Sequence, residues 1–518
     1  MAELGRLLKK ILGKLLSRVV ITMTLLILQA VWLVVMLVYL ADYMRGISLA
    51  MVAVSVIMCA ALIRQDSTVP EFKISWMVLF MVMPVQGGLL YILWGDKRPA
   101  IRLRKKLEWA AGQIRPLIRR DPAAQQRLER SAPRAGRTAA YLRDYADYPV
   151  YGGTDVRYYS SGEAVYADLI PALESARKFI FVEFFIISKG EMWDSVHAVL
   201  RRKAAEGVDV RLIYDDVGCA PGLPAGYWKT LEAEGIRAVP FNPFVPILNL
   251  VMNSRDHRKI VVVDGRLAFT GGFNLADEYI NRKPRFGHWR DTAIRLDGPG
   301  AWGFVTMFLR LWASQRPDDA GLDGVDPRQD FAAPHATVGL VQPYSDNPVD
   351  NETVAKNVYL ELIDQAQQSL WITTPYLILD NTILSALCLA AKRGVDVRIY
   401  TPGIPDKKII YQLTKSYFAP LIRSGVKIFT YTPGFLHAKT WLVDGRIGAV
   451  GAINLDYRSL YLHFECSVLL YGCPALADVA ADLLDIERVS HRVALRECRT
   501  SAVGNMISAA LRLLAPLC

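Results

Sequence analysis

The chain opens on a helical pattern. Leu4, Leu7, Leu8, Ile11, Leu12, Leu15 and Leu16 recur at spacings of three, four and seven, with Arg6, Lys9, Lys10, Lys14 and Arg18 among them. This predicts a basic amphipathic helix over residues 1–18. Val19 to Ala41 then carries no charge and would rise about 34 Å at ~1.5 Å per residue, enough for a ~30 Å hydrocarbon layer. Its length, and the lack of a small-x-small site after it, argue against a cleaved signal peptide. Two further apolar segments follow, Ile47–Ile63 and Ile74–Trp94, the second interrupted by Pro84, Gly87 and Gly88. Residues 19–95 are therefore predicted to be a membrane region of two or three hydrophobic segments. Cations flank both of its ends, and the positive-inside rule places both flanks in the cytoplasm. Three crossings cannot satisfy that, so either one segment does not cross or the first helix is overruled. The bulk of the chain is expected in the cytoplasm.

Past the membrane region the pattern changes to apolar runs alternating with helical stretches, and it does so twice. Phe179–Ile187, a helical stretch and Gly207-Val-Asp-Val-Arg211 are matched by Leu370–Leu379, a helical stretch and Gly394-Val-Asp-Val-Arg398. Strand, helix, strand in each half predicts an α/β fold with buried parallel strands. The boundaries read as a first half over 148–315, a linker over 316–339 rich in Asp, Pro and Gly, a second half over 340–490 and an amphipathic tail over 491–518.

Composition narrows the class. With 518 residues, 52% hydrophobic and 21% charged, and mean hydropathy of +0.20, the chain is neither disordered nor low-complexity. The net charge of +11 points to an anionic partner. Eleven cations against three acids between Ile101 and Arg137 make residues 96–147 a basic juxtamembrane linker facing anionic lipids, so nucleic acid is not needed as a partner. Seven scattered cysteines without a CxxC pair argue against a disulfide scaffold and a zinc site.

The chemistry lies in the repeat. His257-Arg-Lys259 is followed by Asp264 and Asn274, and His437-Ala-Lys439 by Asp444 and Asn454, so two HxKx4D motifs stand 180 residues apart, each with an Asn 17 positions after the His. Each Lys would project from a strand beside its His, and each Asn would arrive from the next turn. Imidazole, ammonium and amide make a site for a phosphate oxyanion, with His able to attack phosphorus or protonate a leaving oxygen. One half supplies one His, whereas displacement at a phosphodiester needs a nucleophile and a proton donor. Two halves about a pseudo-two-fold axis would supply both. Asp264 and Asp444 could orient the histidines, but Asp before Gly more often caps a hairpin, and both are read as mainly structural. His197, His288, His335 and His491 lack repeat partners and are not assigned to catalysis. No HExxH, carboxylate triad or Walker loop is found, and neither a metal nor a cofactor is required.

The paired motifs resemble those of the phospholipase D superfamily. Residues from about Lys73 to Glu465 resemble bacterial cardiolipin synthases of that type, through Lys73-Ile-Ser-Trp76, Pro84-Val-Gln-Gly-Gly-Leu-Leu-Tyr91, Tyr148-Pro-Val-Tyr-Gly-Gly-Thr154, Asn253-Ser-Arg-Asp-His-Arg-Lys259, Ala276-Asp-Glu-Tyr-Ile-Asn281, Thr374-Pro-Tyr376 and Asn454-Leu-Asp-Tyr-Arg-Ser459. The resemblance implies two phospholipase D-type α/β/α halves forming one active site, behind N-terminal transmembrane helices in a bacterial inner membrane. It implies transfer of a phosphatidyl group between two phosphatidylglycerol molecules, giving cardiolipin and glycerol through a phosphohistidine. By analogy His257 is the nucleophile and His437 the acid/base, an order the residues alone leave open. It also implies a supporting carboxylate downstream in each half: Glu465, 28 positions after His437, and Asp291 in the first half. One departure is His463, where the family often has Asn; packing is the favoured reading. Hydrolysis to phosphatidic acid, nuclease activity and a non-catalytic scaffold are the competing readings, and self-association is left open. The DGxxAR motif of synthases that use CDP-diacylglycerol is absent.

Overall fold

The computed structural model describes residues 44–65, 70–95, 101–243, 254–321, 337–350, 352–499 and 501–517, with residues 27–29, 31, 32 and 35. Helix 1–18 and most of Val19–Ala41 lie outside the described residues. The chain forms two compact units, an N-terminal one that includes Ala510–Cys518 and a large one of Arg102–Pro243 and Ser254–Ala509.

In the N-terminal unit, helices Met44–Ile63, Pro70–Val82 and Pro84–Leu90 pack around Leu62, Trp76 and Phe80. Glycine permits the closeness: a Cβ on Gly88 would stand 2.6 Å from the Met58 methyl. The C-terminal tail joins this unit, where the Ser75 hydroxyl donates to the Leu513 carbonyl at 2.6 Å. Ile47 to Ile63 rises about 25 Å at ~1.5 Å per residue. Among the described residues no helix is long and apolar enough to cross a membrane.

The stretch read as a basic linker folds instead. Ile101–Ile114, Pro122–Ser131 and Pro133–Tyr145 are helices, because beneath the charges runs a stripe of Leu107, Ala110, Ile114, Ala124, Leu128, Ala135, Ala139 and Leu142, all buried. Thr138 donates to Glu361 at 3.2 Å and Tyr141 to Glu352 at 2.5 Å, both contacts reaching into the second half.

The first half supplies β1 (Asp155–Tyr159), β2 (Phe179–Phe184), β3 (Asp209–Asp215), β4 (Arg237–Phe241), β5 (Arg255–Asp256), β6 (Lys259–Val263), β7 (Leu267–Gly271), β8 (His288–Arg290) and β9 (Ala293–Asp297). The second supplies β10 (Leu340–Asp346), β11 (Ser369–Thr373), β12 (Asp396–Pro402), β13 (Lys427–Tyr431), β14 (Gly434–Leu436), β15 (Thr440–Val443), β16 (Ile447–Gly451), β17 (His463–Tyr471) and β18 (Ser490–Arg492). The sheet orders are β1-β9-β7-β6-β2-β3-β4 and β10-β17-β16-β15-β11-β12-β13-β18, so the repeat holds strand by strand. Within each half the expected parallel strands are β2-β3-β4 and β11-β12-β13. The Asp-Gly turns send the chain straight back, making β6-β7 and β15-β16 antiparallel. Helix Ala301–Gln315 is buried along almost its whole length and touches β2, β6, β7 and β10. Its apolar surface on all sides suits a place between two layers.

The two aspartates sit in those turns. Asp264 and Gly265 both have positive φ, 52° and 68°, as a two-residue type I′ hairpin requires, and Asp444 and Gly445 repeat it at 50° and 64°. The Asp264 carboxylate accepts from the backbone N–H groups of Arg177, Lys178 and Phe179 at 2.7–2.9 Å. Asp444 does the same for Gln367, Gln368 and Ser369. Neither side chain is bonded to a motif histidine; each pins the hairpin to the start of the central strand. Asp264→Ala is therefore expected to cost about 3 kcal/mol of stability and to keep the specific activity of the folded molecule. Denaturant unfolding with activity per folded molecule checks this. Lost activity at unchanged stability would return Asp264 to the chemistry.

Candidate active site

The two halves exchange short strands at the site. β5 of the first half pairs with β17 of the second, and β14 of the second with β8 of the first. Each motif His follows directly from one of these exchanged strands. The His257 backbone N–H donates to the Phe464 carbonyl at 2.9 Å and that of His437 to the Arg290 carbonyl at 2.7 Å. Each partner directly precedes a buried carboxylate, and this register decides the side-chain pairing. His257 Nδ1 lies 2.8 Å from Glu465 Oε1, and His437 Nδ1 lies 2.7 Å from Asp291 Oδ2. Both expected carboxylates are present, but they are crossed: each His is held by the opposite half, because the exchanged strand and not the nearer one carries its neighbour.

With Nδ1–H donating to the carboxylate, Nε2 is left bare for chemistry. Lys259 Nζ is held by the His257 carbonyl at 2.6 Å, and Lys439 Nζ by the His437 carbonyl with His437 Nδ1 2.8 Å away, leaving at least one further N–H on each ammonium. The lysines thus reach their sites by folding back on the histidine backbone, since His257 lies just before β6 rather than within it. The asparagines depart from expectation. Asn274 donates from its amide to the Tyr279 hydroxyl at 2.6 Å and accepts from the Ile186 N–H at 3.0 Å, so it braces the turn. Asn454 donates to the Ser459 hydroxyl at 3.1 Å.

Several contributors were not legible as site residues. Trp289 packs on His437 at 5.3 Å between ring centroids, Tyr279 at 5.6 Å, and Phe185 on His257 at 5.0 Å. Beneath His257, Arg258 pairs with Glu183 at 2.6 Å and Arg255 with Asp215 at 3.2 Å, all buried. A lone Glu within Phe179-Ile-Phe-Val-Glu183-Phe was the available signal, since a buried acid needs a partner.

Burial dominates the titration of the site. It pushes His257 well below the usual histidine range, helped by Lys259 and by His463. It pushes His437 to about 4 with help from Lys439, opposed by Asp291. Burial also lowers Lys259 to about 8 and Lys439 to about 7, against an ordinary lysine near ~10.4. These ammoniums therefore discharge as pH rises through that interval. The expected result is an alkaline limb in kcat/KM between about 7 and 8, with the limb in kcat displaced upward because a bound phosphodiester anion restabilises both cations. Initial rates against pH test it; a kcat/KM flat to pH ~9.5 contradicts it.

Among the described residues, His257, His463 and Glu465 form the group closest to a metal site, with donor atoms within 4.8 Å of one another. A tetrahedral zinc at ~2.0–2.1 Å from its ligands needs donor atoms about 3.4 Å apart. It would also break the His257–Glu465 hydrogen bond. That hydrogen bond already uses two of the three donors.

A family profile described as cardiolipin synthase, PLD-like domain matches residues 169–284 and 359–485, one segment in each half. An uncharacterized protein of Streptococcus mutans is 41% identical over 86% of this chain and 96% of its own length. A cardiolipin synthase of Halalkalibacterium halodurans is 31% identical over 90% of this chain and 93% of its own. One from Geobacillus kaustophilus is 33% identical over 85% and 87%. The crystal structure of phosphatidylserine synthase from Haemophilus influenzae aligns with a TM-score of 0.55 at 17% identity, covering 74% of this chain and all of that one, a likeness of fold. With the repeated motifs and the exchanged strands in place, the chain belongs to the phospholipase D-like cardiolipin synthase family.

Proposed function

We propose that this protein is a membrane-bound cardiolipin synthase that moves a phosphatidyl group from one phosphatidylglycerol to another, releasing glycerol. The crossed pairs, His257 with Glu465 and His437 with Asp291, carry the reading, since they join both histidines in one site. In the first step His257 Nε2 forms a bond to phosphorus, the bond from phosphorus to the glycerol oxygen breaks, and His437 gives that oxygen its proton. In the second step a hydroxyl of the incoming lipid gives its proton to His437 and bonds to phosphorus, and the N–P bond breaks. Phosphodiester replaces phosphodiester, so no activated nucleotide is consumed.

The order of the histidines rests on the family resemblance. Burial and cationic neighbours favour the neutral form of both, with Asp291 opposing this at His437. A nucleophile must be neutral and an acid protonated. Membrane attachment is supported by exposed apolar side chains on the N-terminal unit, among them Val52, Val56, Ile57, Met81 and Val82, and by the uncharged run Val19–Ala41. A bacterial inner membrane with the catalytic unit on the cytoplasmic side is the placement that the flanking cations favour.

Vesicles of phosphatidylglycerol alone, incubated with the full-length protein, test the reading. Cardiolipin and glycerol in equal amounts are expected. Phosphatidic acid as the main product would make the protein a hydrolase.

A further inference from the structure

His463 opens β17, and its ring packs against His257 at 5.6 Å and Phe185 at 6.5 Å between centroids. It is only 8% exposed. Yet neither ring nitrogen has a hydrogen-bond partner among the described residues. A residue present for packing alone would be better as a hydrocarbon, because a buried imidazole with both nitrogens unused loses its hydration and gains nothing back.

The pseudo-symmetry sharpens the point. His463 lies two residues before Glu465, as Trp289 lies two before Asp291, and each ring packs on the catalytic His of the opposite half. Trp289 Nε1 is also buried without a partner. On both sides of the site, therefore, a ring bearing an unused nitrogen flanks a catalytic imidazole.

The surroundings select the chemistry of the missing partner. Lys259, Arg458, Arg255 and Lys407 all bring positive charge to bear on His463, a field that attracts an anion. A ring nitrogen of His463 also lies within 4.8 Å of a ring nitrogen of His257. That closeness puts an oxygen bonded to His463 beside the phosphorus that His257 attacks.

We propose that His463 is a substrate-binding residue whose ring donates a hydrogen bond to a non-bridging oxygen of the lipid phosphodiester seated at His257. The inference rests on the phosphodiester reading above and adds a third imidazole to its binding site. During transfer His463 exchanges no proton with the reacting oxygens; it holds the phosphoryl group while His257 attacks.

The test uses the full-length protein in detergent micelles, with inorganic phosphate as the probe and phosphatidylglycerol as the substrate. His463→Leu keeps the bulk without the donor, and His463→Asn restores an N–H. The Leu variant is expected to bind phosphate about ten-fold more weakly and to raise KM for the lipid by a similar factor. The Asn variant should recover most of that loss. His463→Ala, which cannot overpack, stands in should the Leu variant fail to fold. Phosphate affinity and KM unchanged in the donor-less variant, or no recovery with Asn, would make His463 a packing residue. Failure of the lipid reading looks different: the wild-type protein would make no cardiolipin, while phosphate binding would still depend on His463.

Discussion

Replacing either His257 or His437 by alanine is expected to abolish cardiolipin formation, lowering kcat by at least about 10⁴-fold, with the double variant no worse than either single one. Both effects follow from one site shared by two halves. Without His257 no side chain is placed to take the phosphatidyl group; without His437 the departing glycerol oxygen has no proton donor. Once one His is missing the other has no step to assist, so the losses do not add. Both imidazoles are buried in a scaffold that exchanged strands also hold together. Thermal unfolding of each variant beside wild type separates chemistry from folding. Product formation in phosphatidylglycerol micelles measures the loss. An alanine variant that retains a tenth of wild-type turnover would remove that histidine from the mechanism.

Neutralising either carboxylate is the second large effect. Glu465→Gln and Asp291→Asn should each lower kcat by about 10²- to 10⁴-fold with little change in KM, because an amide can hold the wrong tautomer and no longer stabilises a cationic imidazole. Neither carboxylate touches the lipid in this account, so substrate affinity is not where the loss falls. A rise in KM at constant kcat would instead mark the residue as part of the binding surface.

Much of this was legible in the residues themselves. The two HxKx4D motifs at equal offsets predicted two halves and one shared site, and the sheet orders match strand by strand. The aspartates before glycine occupy hairpin turns. What could not be read was which carboxylate serves which histidine. Sequence proximity favours Glu465 for His437, but the pairing is set by β5 with β17 and β8 with β14, contacts of high sequence separation that leave no local periodicity. Over 101–145 a helix was one of two open readings, but its buried face was not: the cations dominate the composition, whereas the stripe that packs relies heavily on alanine, a weak signal beside Leu or Ile. Asn274 misled because its amide suits a phosphate as well as a tyrosine hydroxyl, and residue type alone does not choose.

The measurement that tests the crossed site most directly is a single turnover with a phosphatidyl ester of p-nitrophenol, whose departure needs no proton donor. The account predicts a burst of nitrophenolate from His437→Ala and Asp291→Asn close to that of wild type, since both act on the acid. It predicts a burst slowed by at least about 100-fold in His257→Ala and Glu465→Gln, which disable the nucleophile. A retained burst in Glu465→Gln with a lost one in Asp291→Asn would contradict it, either by assigning each carboxylate to the histidine of its own half or by exchanging the roles of the two histidines.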